Sequence, residues 1–450
     1  MASDELTRPV AGSAGDGLAG FTHRYADVNG TRIHYVIGGE GPAVVLVHGF
    51  PFTWAVWRGL MPLLAAQGFT VLAPDLRGMG DSDPAESDTF AKTNVAEDIR
   101  QIVLGLDLGP INLVGMDVGG MVVYAYASRH PGEVRRLVLS ETLIPGFGLD
   151  EMMNPSAENG TYTFGFHGQV DLACFLTQGK EPAYLTPFFR LTSVRPDAEA
   201  FGTANYLPHF TGPLGIRGGF QHYGAMIEDG KANRAEFTTR LPMPVLVLNG
   251  DHGYYRKELL AGVRQVAGQF ETDLIPQASH AYAYDNPQAT AERLLQFFAV
   301  SDLERLVVTE EVRQVVASYV YHADHHEFGE LARLFAADAT FTIYDTQGEV
   351  VMTMNGPKEI EDIISRSVAG SSAIHHLFSF QTEVHSPVSA TSVVNMQDWI
   401  EAGDSTAGNE TLPFRSMHGY GHYRGEFAKI DGTWKIQKFV QTRLRMDITE

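Results

Sequence analysis

The sequence predicts an α/β unit with a mostly helical cap, followed by a smaller α+β unit, and three observations carry that reading. Strand-like and helix-like segments alternate over residues 21–145. Between about 144 and 240 the alternation gives way to short helix-like pieces rich in Gly, Pro and aromatics. After residue 299 the order becomes helices first and strands afterwards. The chain has 450 residues, room for two or three domains at roughly 100–200 residues each.

In the first unit, Ile33–Val36, Ala43–Val47 and Thr70–Ala73 read as strands around a helix over Trp57–Ala66. Asn94–Leu106 has helical spacing, with Val95, Ile99, Ile102 and Val103 apolar. Ile111–Val114 is a short apolar strand, Met121–Arg129 a helix and Val134–Leu139 a strand. Such alternation implies a mostly parallel sheet covered on both faces. The stretch 144–240 then reads as a cap inserted into the sheet, which resumes with Pro244–Asn249 and Thr272–Ile275. Gln288–Phe298 closes the unit as an amphipathic helix.

The second unit is expected over 304–450, with the boundary near residue 300. Thr309–Tyr321 and Phe328–Phe335 read as helices. Ala339–Tyr344, Val350–Met354, Ile374–Val384, Ala390–Ile400, His418–Lys429 and Thr433–Arg445 read as strands. Ala402–Pro413 is a polar loop between two of them. The absence of a Pro- or Gly-rich linker predicts that the units pack together. Residues 1–20, rich in Ala, Gly and Asp, are expected to form a disordered tail.

Composition narrows the function. Apolar residues make up 44% of the chain, enough for sizeable cores. The net charge of −21 argues against nucleic acid or an anionic membrane as partner, since both need a basic surface. No run of about 18 apolar residues predicts a transmembrane helix, and no signal peptide is visible at the start. With Cys174 as its one cysteine the chain forms no internal disulfide, which fits a cytoplasmic location.

The chemistry concentrates at Gly115-Met116-Asp117-Val118-Gly119-Gly120, between a strand and a helix. Small residues around one reactive side chain allow a sharp turn that lifts that side chain into a site. His48-Gly49-Phe50-Pro51 follows a strand, Asp75-Leu76-Arg77-Gly78-Met79-Gly80-Asp81-Ser82 forms a turn, and His280 precedes the last helix of the unit. In this order the four elements resemble the α/β-hydrolase superfamily. Aspartate at the centre of the elbow resembles its epoxide hydrolase and dehalogenase branches.

The resemblance implies that Asp117 is the nucleophile, that the Phe50 and Val118 amides form the oxyanion hole, and that His280 is the base. The acid orienting His280 has two candidates. Glu141 lies in Ser140-Glu141-Thr142-Leu143-Ile144-Pro145-Gly146, which resembles a bacterial epoxide hydrolase subgroup, and Asp251 follows a later strand. Phe164-Gly165-Phe166-His167-Gly168-Gln169 and Phe220-Gln221-His222-Tyr223-Gly224 resemble that subgroup's cap donors. They imply His167 and Tyr223 over the epoxide oxygen, with His222 and Tyr162 as alternatives. A dehalogenase fits less well. Val118 stands where haloalkane dehalogenases usually have tryptophan, and no arginine follows Asp117 as in fluoroacetate dehalogenases. A third reading is a noncatalytic ligand-binding or scaffolding protein. The expected substrate is a small hydrophobic epoxide, and no cofactor or metal is implied, because water and side chains suffice.

Residues 304–450 resemble the SnoaL-like, or nuclear-transport-factor-2-like, fold, a cone-shaped α+β barrel. The resemblance lies in Glu330-Leu331-Ala332-Arg333-Leu334-Phe335-Ala336-Ala337-Asp338-Ala339 and in Tyr423-Arg424-Gly425-Glu426-Phe427 with Asp431-Gly432-Thr433-Trp434-Lys435-Ile436. Members of that fold often dimerise, which extends to a homodimer here, and often serve polyketide biosynthesis. Its dehydratases and isomerases imply Tyr319, Asp324 and one of His375 and His376 as a second acid–base site. Adjacent strand residues face opposite sides, so one histidine of the two enters the pocket. The nearby His322, His325 and His326 read as a solvated helix end, with a metal site as the alternative.

Overall fold

A computed structural model describes residues 8–15, 17–83, 90–153, 161–211, 215–299, 302–368, 370–386, 388–402, 414–430 and 432–449. The expected loop 402–413 lies outside these from residue 403 onward. Contacts divide the chain into two compact units, Met1–Ala299 and Val300–Glu450.

The first unit is built on a nine-stranded sheet: β1 (Ala14–Gly15), β2 (Leu18–Val28), β3 (Thr31–Gly38), β4 (Ala43–Val47), β5 (Thr70–Pro74), β6 (Ile111–Met116), β7 (Val134–Ser140), β8 (Val245–Gly250) and β9 (Phe270–Ile275). Their spatial order is β1-β2-β3-β5-β4-β6-β7-β8-β9. From β5 to β9 every neighbouring pair is parallel. The central strands β4, β6 and β8 are buried along their whole length, which is why they read as unbroken apolar runs.

The expected tail 1–20 is corrected within the described residues. Leu18 opens β2, and Ala14–Gly15 pairs with β2 in turn. A Gly- and Ala-rich segment forms strand here because the neighbouring edge supplies backbone partners, a tertiary effect that composition does not reveal. Trp57–Ala66 is not one helix: a 3₁₀ turn over Trp54–Trp57 precedes a short helix over Met61–Ala65. The helix Arg256–Val266 was not expected.

Between β7 and β8 the chain forms helices from Leu149 to Glu236, and one of these, Gly215–Gly224, rests directly on the core. A Cβ on Gly218 would lie 1.9 Å from the Gly78 carbonyl oxygen, so no larger residue fits there. Lys92, buried, ties the same region down: its Nζ donates to Asp229 at 3.0 Å and to the His222 carbonyl at 2.7 Å.

Among the described residues, the second unit has the helix Asp302–Asp324 first and carries a six-stranded sheet. Its strands are β10 (Phe335–Tyr344), β11 (Val350–Asn355), β12 (Ser371–Ser386), β13 (Ser389–Ala402), β14 (Ser416–Ile430) and β15 (Thr433–Thr449). Their order among the described residues is β11-β10-β15-β14-β13-β12. The helix predicted over Phe328–Phe335 stops at Ala332, and Phe335 opens β10 beside Ile436 of β15. A further helix, Gly356–Ser367, was not expected. Among the described residues, no helix is long and apolar enough to cross a membrane.

Candidate active site

Asp117 occupies the turn between β6 and the helix Val118–Arg129, with φ 55° and ψ −125°. Left-handed backbone at a non-glycine residue is strained and persists only where its surroundings enforce it. Here a Cβ on Gly119 would lie 2.3 Å from the Val47 carbonyl oxygen, and one on Gly115 2.5 Å from that of Gly119. The elbow packs so tightly against β4 on one side and its own helix on the other that small residues are required on both sides of Asp117.

The carboxylate is held from below. The Phe50 amide donates to Asp117 Oδ1 at 2.9 Å, and the Val118 amide also hydrogen-bonds the group. Burial raises the Asp117 pKa above the ordinary carboxylate value, although the charge of His280 and these two amides pull it down. The loop bearing Phe50 is anchored by the turn at Asp75. Asp75 accepts from the Trp54 amide at 2.8 Å and from His34, and His48 Nε2 accepts from the Leu76 amide at 3.1 Å. Arg77 in the same turn is buried against Asp98. The Asp75–Ser82 motif therefore braces the loop and stays out of the cavity.

His280 Nε2 lies 3.7 Å from Asp117 Oδ2, and its Nδ1 lies 3.2 Å from Glu141 Oε2. Glu141 is fully buried at the end of β7, with φ 46°. Its Oε1 accepts from Asn249 Nδ2 at 3.0 Å and from the Gly250 amide at 2.9 Å, and its Oε2 accepts from the Tyr254 amide at 2.8 Å. Burial would depress the His280 pKa, but the Glu141 hydrogen bond and the charges of Glu141 and Asp117 outweigh it, and the pKa is raised. Asp251 is placed elsewhere: its two oxygens accept from the Gln277 and Ala278 amides, both at 2.9 Å. It shapes the loop before His280 and is not brought to the ring.

Above Asp117 lies a cavity of about 500 Å³ whose wall includes His280, His167 and Tyr223. The His167 and Tyr223 rings meet edge to face at 4.6 Å between centroids. Burial pushes the Tyr223 hydroxyl well up, with the Asp117 charge adding to it. The two alternative donors separate. Tyr162 reaches the cavity wall but is largely exposed. His222 is corrected: it is buried away from the cavity, with Nε2 at 3.1 Å from the Arg77 carbonyl oxygen. One turn of the helix Gly215–Gly224 carries both residues, and its rotation sends Tyr223 into the cavity and His222 into the core.

The sequence reading missed Tyr184, Tyr254 and Tyr255, which also line the cavity. Tyr184 lies on the helix Glu181–Leu191 with its hydroxyl 2.6 Å from His167 Nε2. Tyr255, at φ 58°, has its hydroxyl pushed up to about 12, chiefly by burial. No motif marks these residues. Tyr255 takes its positive φ just before a helix, and a tyrosine gives no sequence sign of that backbone.

In the second unit, His375 Nδ1 lies 2.6 Å from Asp324 Oδ1, and the His375 amide donates to Asp324 Oδ2 at 3.0 Å. His375 is thus the histidine turned toward Asp324, while its neighbour His376 is exposed. Asp398, buried, is gripped by two Arg443 nitrogens at 2.6 and 2.5 Å and lies 4.0 Å from His375 Nε2. Tyr319 is buried among aromatic rings, with Tyr423 at 5.6 Å between centroids. The other histidines do not converge: His322 pairs with Glu327 at 2.7 Å and His325 with the Tyr321 carbonyl oxygen at 2.8 Å.

The chain matches two family descriptions, an alpha/beta hydrolase fold over residues 42–173 and a SnoaL-like domain over residues 304–440. A soluble epoxide hydrolase of Corynebacterium sp. (strain C12) is 32% identical over 283 residues, 62% of this chain and 97% of that protein. The crystal structure of Cfl2 from Burkholderia cenocepacia aligns with a TM-score of 0.58 at 35% identity, covering 64% of this chain and 98% of that one. The structure of the epoxide hydrolase CorEH aligns with a TM-score of 0.55 at 30% identity, covering 62% of this chain and 98% of that one. Aligned over nearly the full length of these proteins and carrying a SnoaL-like domain besides, the chain belongs to the epoxide hydrolase family of the α/β-hydrolase fold.

Proposed function

We propose that the chain opens an epoxide to a vicinal diol through a covalent ester on Asp117, acting on a hydrophobic secondary metabolite. The observation that carries this reading is the Asp117 carboxylate, one oxygen held by the Phe50 amide, beneath a cavity whose cap wall includes the phenols of Tyr184 and Tyr223 and the imidazole of His167. The oxygen nearer His280, Oδ2, attacks a ring carbon. The carbon–oxygen bond breaks and the ring oxygen takes a proton from the cap, where Tyr223 and the His167–Tyr184 pair stand. His280 then takes a proton from water, and the hydroxide attacks the ester carbonyl. The Phe50 and Val118 amides hold the resulting oxyanion until the diol leaves. Glu141 keeps the Nδ1 proton of His280 in place and stabilises its charged form.

Cap hydroxyls favour an epoxide over a halide, because an alkoxide is a poor leaving group without a proton donor. Among the described residues lining the cavity there is no Trp, Arg or Lys to hold a halide or a substrate carboxylate. The test is the intact mass of a His280→Gln variant incubated with a panel of epoxides and alkyl halides. Without the base the ester forms but does not hydrolyse. The expected result is an adduct of whole epoxide mass on Asp117. An adduct of alkyl halide minus hydrogen halide, with none from epoxides, would make the chain a dehalogenase. No adduct from either class would overturn the nucleophile.

For the second unit, the Asp324–His375 bond supports an acid–base site that closes or dehydrates the diol, with loss of one water. Wild-type protein should then yield a species one water lighter than the diol, and a His375→Ala variant should stop at the diol. If both stop at the diol, the second unit only binds.

A further inference from the structure

The second proton over the ring oxygen has two claimants, His167 and Tyr184, and hydrogen bonding separates them. Both side chains line the cavity above Asp117, and His167 Nε2 lies 2.6 Å from the Tyr184 hydroxyl. His167 Nδ1 is buried with no hydrogen-bond partner. Its surroundings are aromatic: the Phe220 ring stacks on the imidazole at 4.7 Å between centroids, and the Phe50 edge approaches at 5.3 Å. Burial pulls the His167 pKa down to about 3, so the ring is neutral and carries one N–H at physiological pH.

That proton has two places to sit. On Nδ1 it would be a buried N–H with no acceptor within hydrogen-bond reach. On Nε2 it donates to the Tyr184 oxygen, and Nδ1 is left as an acceptor without a donor. Orphaned buried N–H groups are rarer in folded proteins than under-satisfied acceptors, so the Nε2–H form wins. A Tyr184 oxygen that accepts from His167 keeps its own O–H free to rotate toward the cavity.

We propose that Tyr184 is the catalytic residue that protonates the ring oxygen alongside Tyr223, and that His167 is a positioning residue acting through it. The assignment rests on the epoxide-opening reading above. As the Asp117–carbon bond forms and the ring carbon–oxygen bond breaks, the Tyr184 hydroxyl proton passes to the departing oxygen. The phenolate left behind is held by the His167 Nε2–H. It recovers, through solvent, the proton that His280 withdraws from the hydrolytic water, so each turnover consumes one epoxide and one water. Tyr184 suits this role because an N–H already points at its oxygen, an advantage that matters most where burial pushes its hydroxyl up.

Two measurements on the full-length protein test the assignment. In a spectrum of 15N-histidine-labelled protein, the signals lost in His167→Phe identify residue 167. They should show Nε2 as the protonated nitrogen and Nδ1 as the bare one, and the reverse would overturn the proposal. The second is the single-turnover rate of ester formation in the His280→Gln background, with an epoxide that labels Asp117. Adding Tyr184→Phe should slow it by about 10²-fold or more. Adding His167→Phe should slow it less, by about 10-fold, and His167→Gln, whose amide N–H again reaches the Tyr184 oxygen, should recover part of that loss. A Tyr184→Phe protein within about threefold of its parent, beside an inactive His167→Phe, would return the donor role to His167. A His280→Gln protein that no epoxide labels would sink the parent reading and this assignment with it, a result distinct from either order of rates.

Discussion

Asp117→Asn should leave a folded protein whose turnover of an epoxide falls by about 10⁴-fold or more. The amide oxygen of asparagine still accepts from the Phe50 amide, which now sits 2.9 Å from Oδ1, so the elbow keeps its contact. Asparagine also tolerates the left-handed backbone at φ 55° better than most residues. What disappears is the anionic oxygen 3.7 Å from His280 Nε2 that the proposed mechanism uses to form the ester. Stability should change little or rise, because burial already penalises the Asp117 charge. The check is kcat/KM beside a thermal unfolding midpoint. Turnover within 10-fold of wild type on a stable protein would mean that water attacks the epoxide directly.

Glu141→Gln should cost about 10³-fold in turnover, and Asp251→Asn less than about threefold. Glu141 sits under His280 with its oxygens filled by Asn249 Nδ2, two backbone amides and the ring, so a neutral amide there loses the charge and turns one N–H against those donors. Asp251 caps the 277–278 backbone from an exposed loop, and asparagine retains an oxygen for that task. The reverse ranking would make Asp251 the acid.

The pH dependence follows from the same contacts. Only neutral His280 can take a proton from water, and its pKa is raised. Ester hydrolysis should therefore slow as pH falls through that raised value. Glu141→Gln removes the main upward influence, so the acid limb of its residual activity should move to lower pH. Acid-quenched intact masses across a pH series would show the ester persisting at mildly acidic pH in wild type and at lower pH in the variant.

Much of the first unit was legible because its signals are local. Runs such as Ala43–Val47 and Ile111–Met116 read as central strands since a parallel strand covered on both faces has no polar side to show. The elbow was legible because Gly115, Gly119 and Gly120 answer a steric demand within a few residues of Asp117. His280 was marked by its place between the last strand and the last helix. The elements that escaped are of two kinds: β1 and β2 form because a neighbouring edge supplies backbone partners, whereas Arg256–Val266 and Gly356–Ser367 carry amphipathic spacing, and Asn355 and Pro357 mark the start of the second, so their signals are present in the sequence.

By itself, then, the sequence determined the two-unit architecture, the order of the elbow, the oxyanion loop and the late histidine, and the short candidate list for each further role. Only the tertiary structure decided within those lists and added to them. Glu141 and Asp251 lie 110 residues apart and both offer a carboxylate, and packing brings that of Glu141, not that of Asp251, under the His280 ring. His222 and Tyr223 are neighbours, and the seating of one helix on the core decides which faces the cavity. His375 and His376 are separated by the pleat of β12 together with the reach of Asp324. Tyr184 meets His167 across two cap helices, a contact no local pattern encodes. The physical reason is common to all four: turn and strand preferences act over a few residues, whereas the partners of a buried polar group are set by which distant elements pack against it.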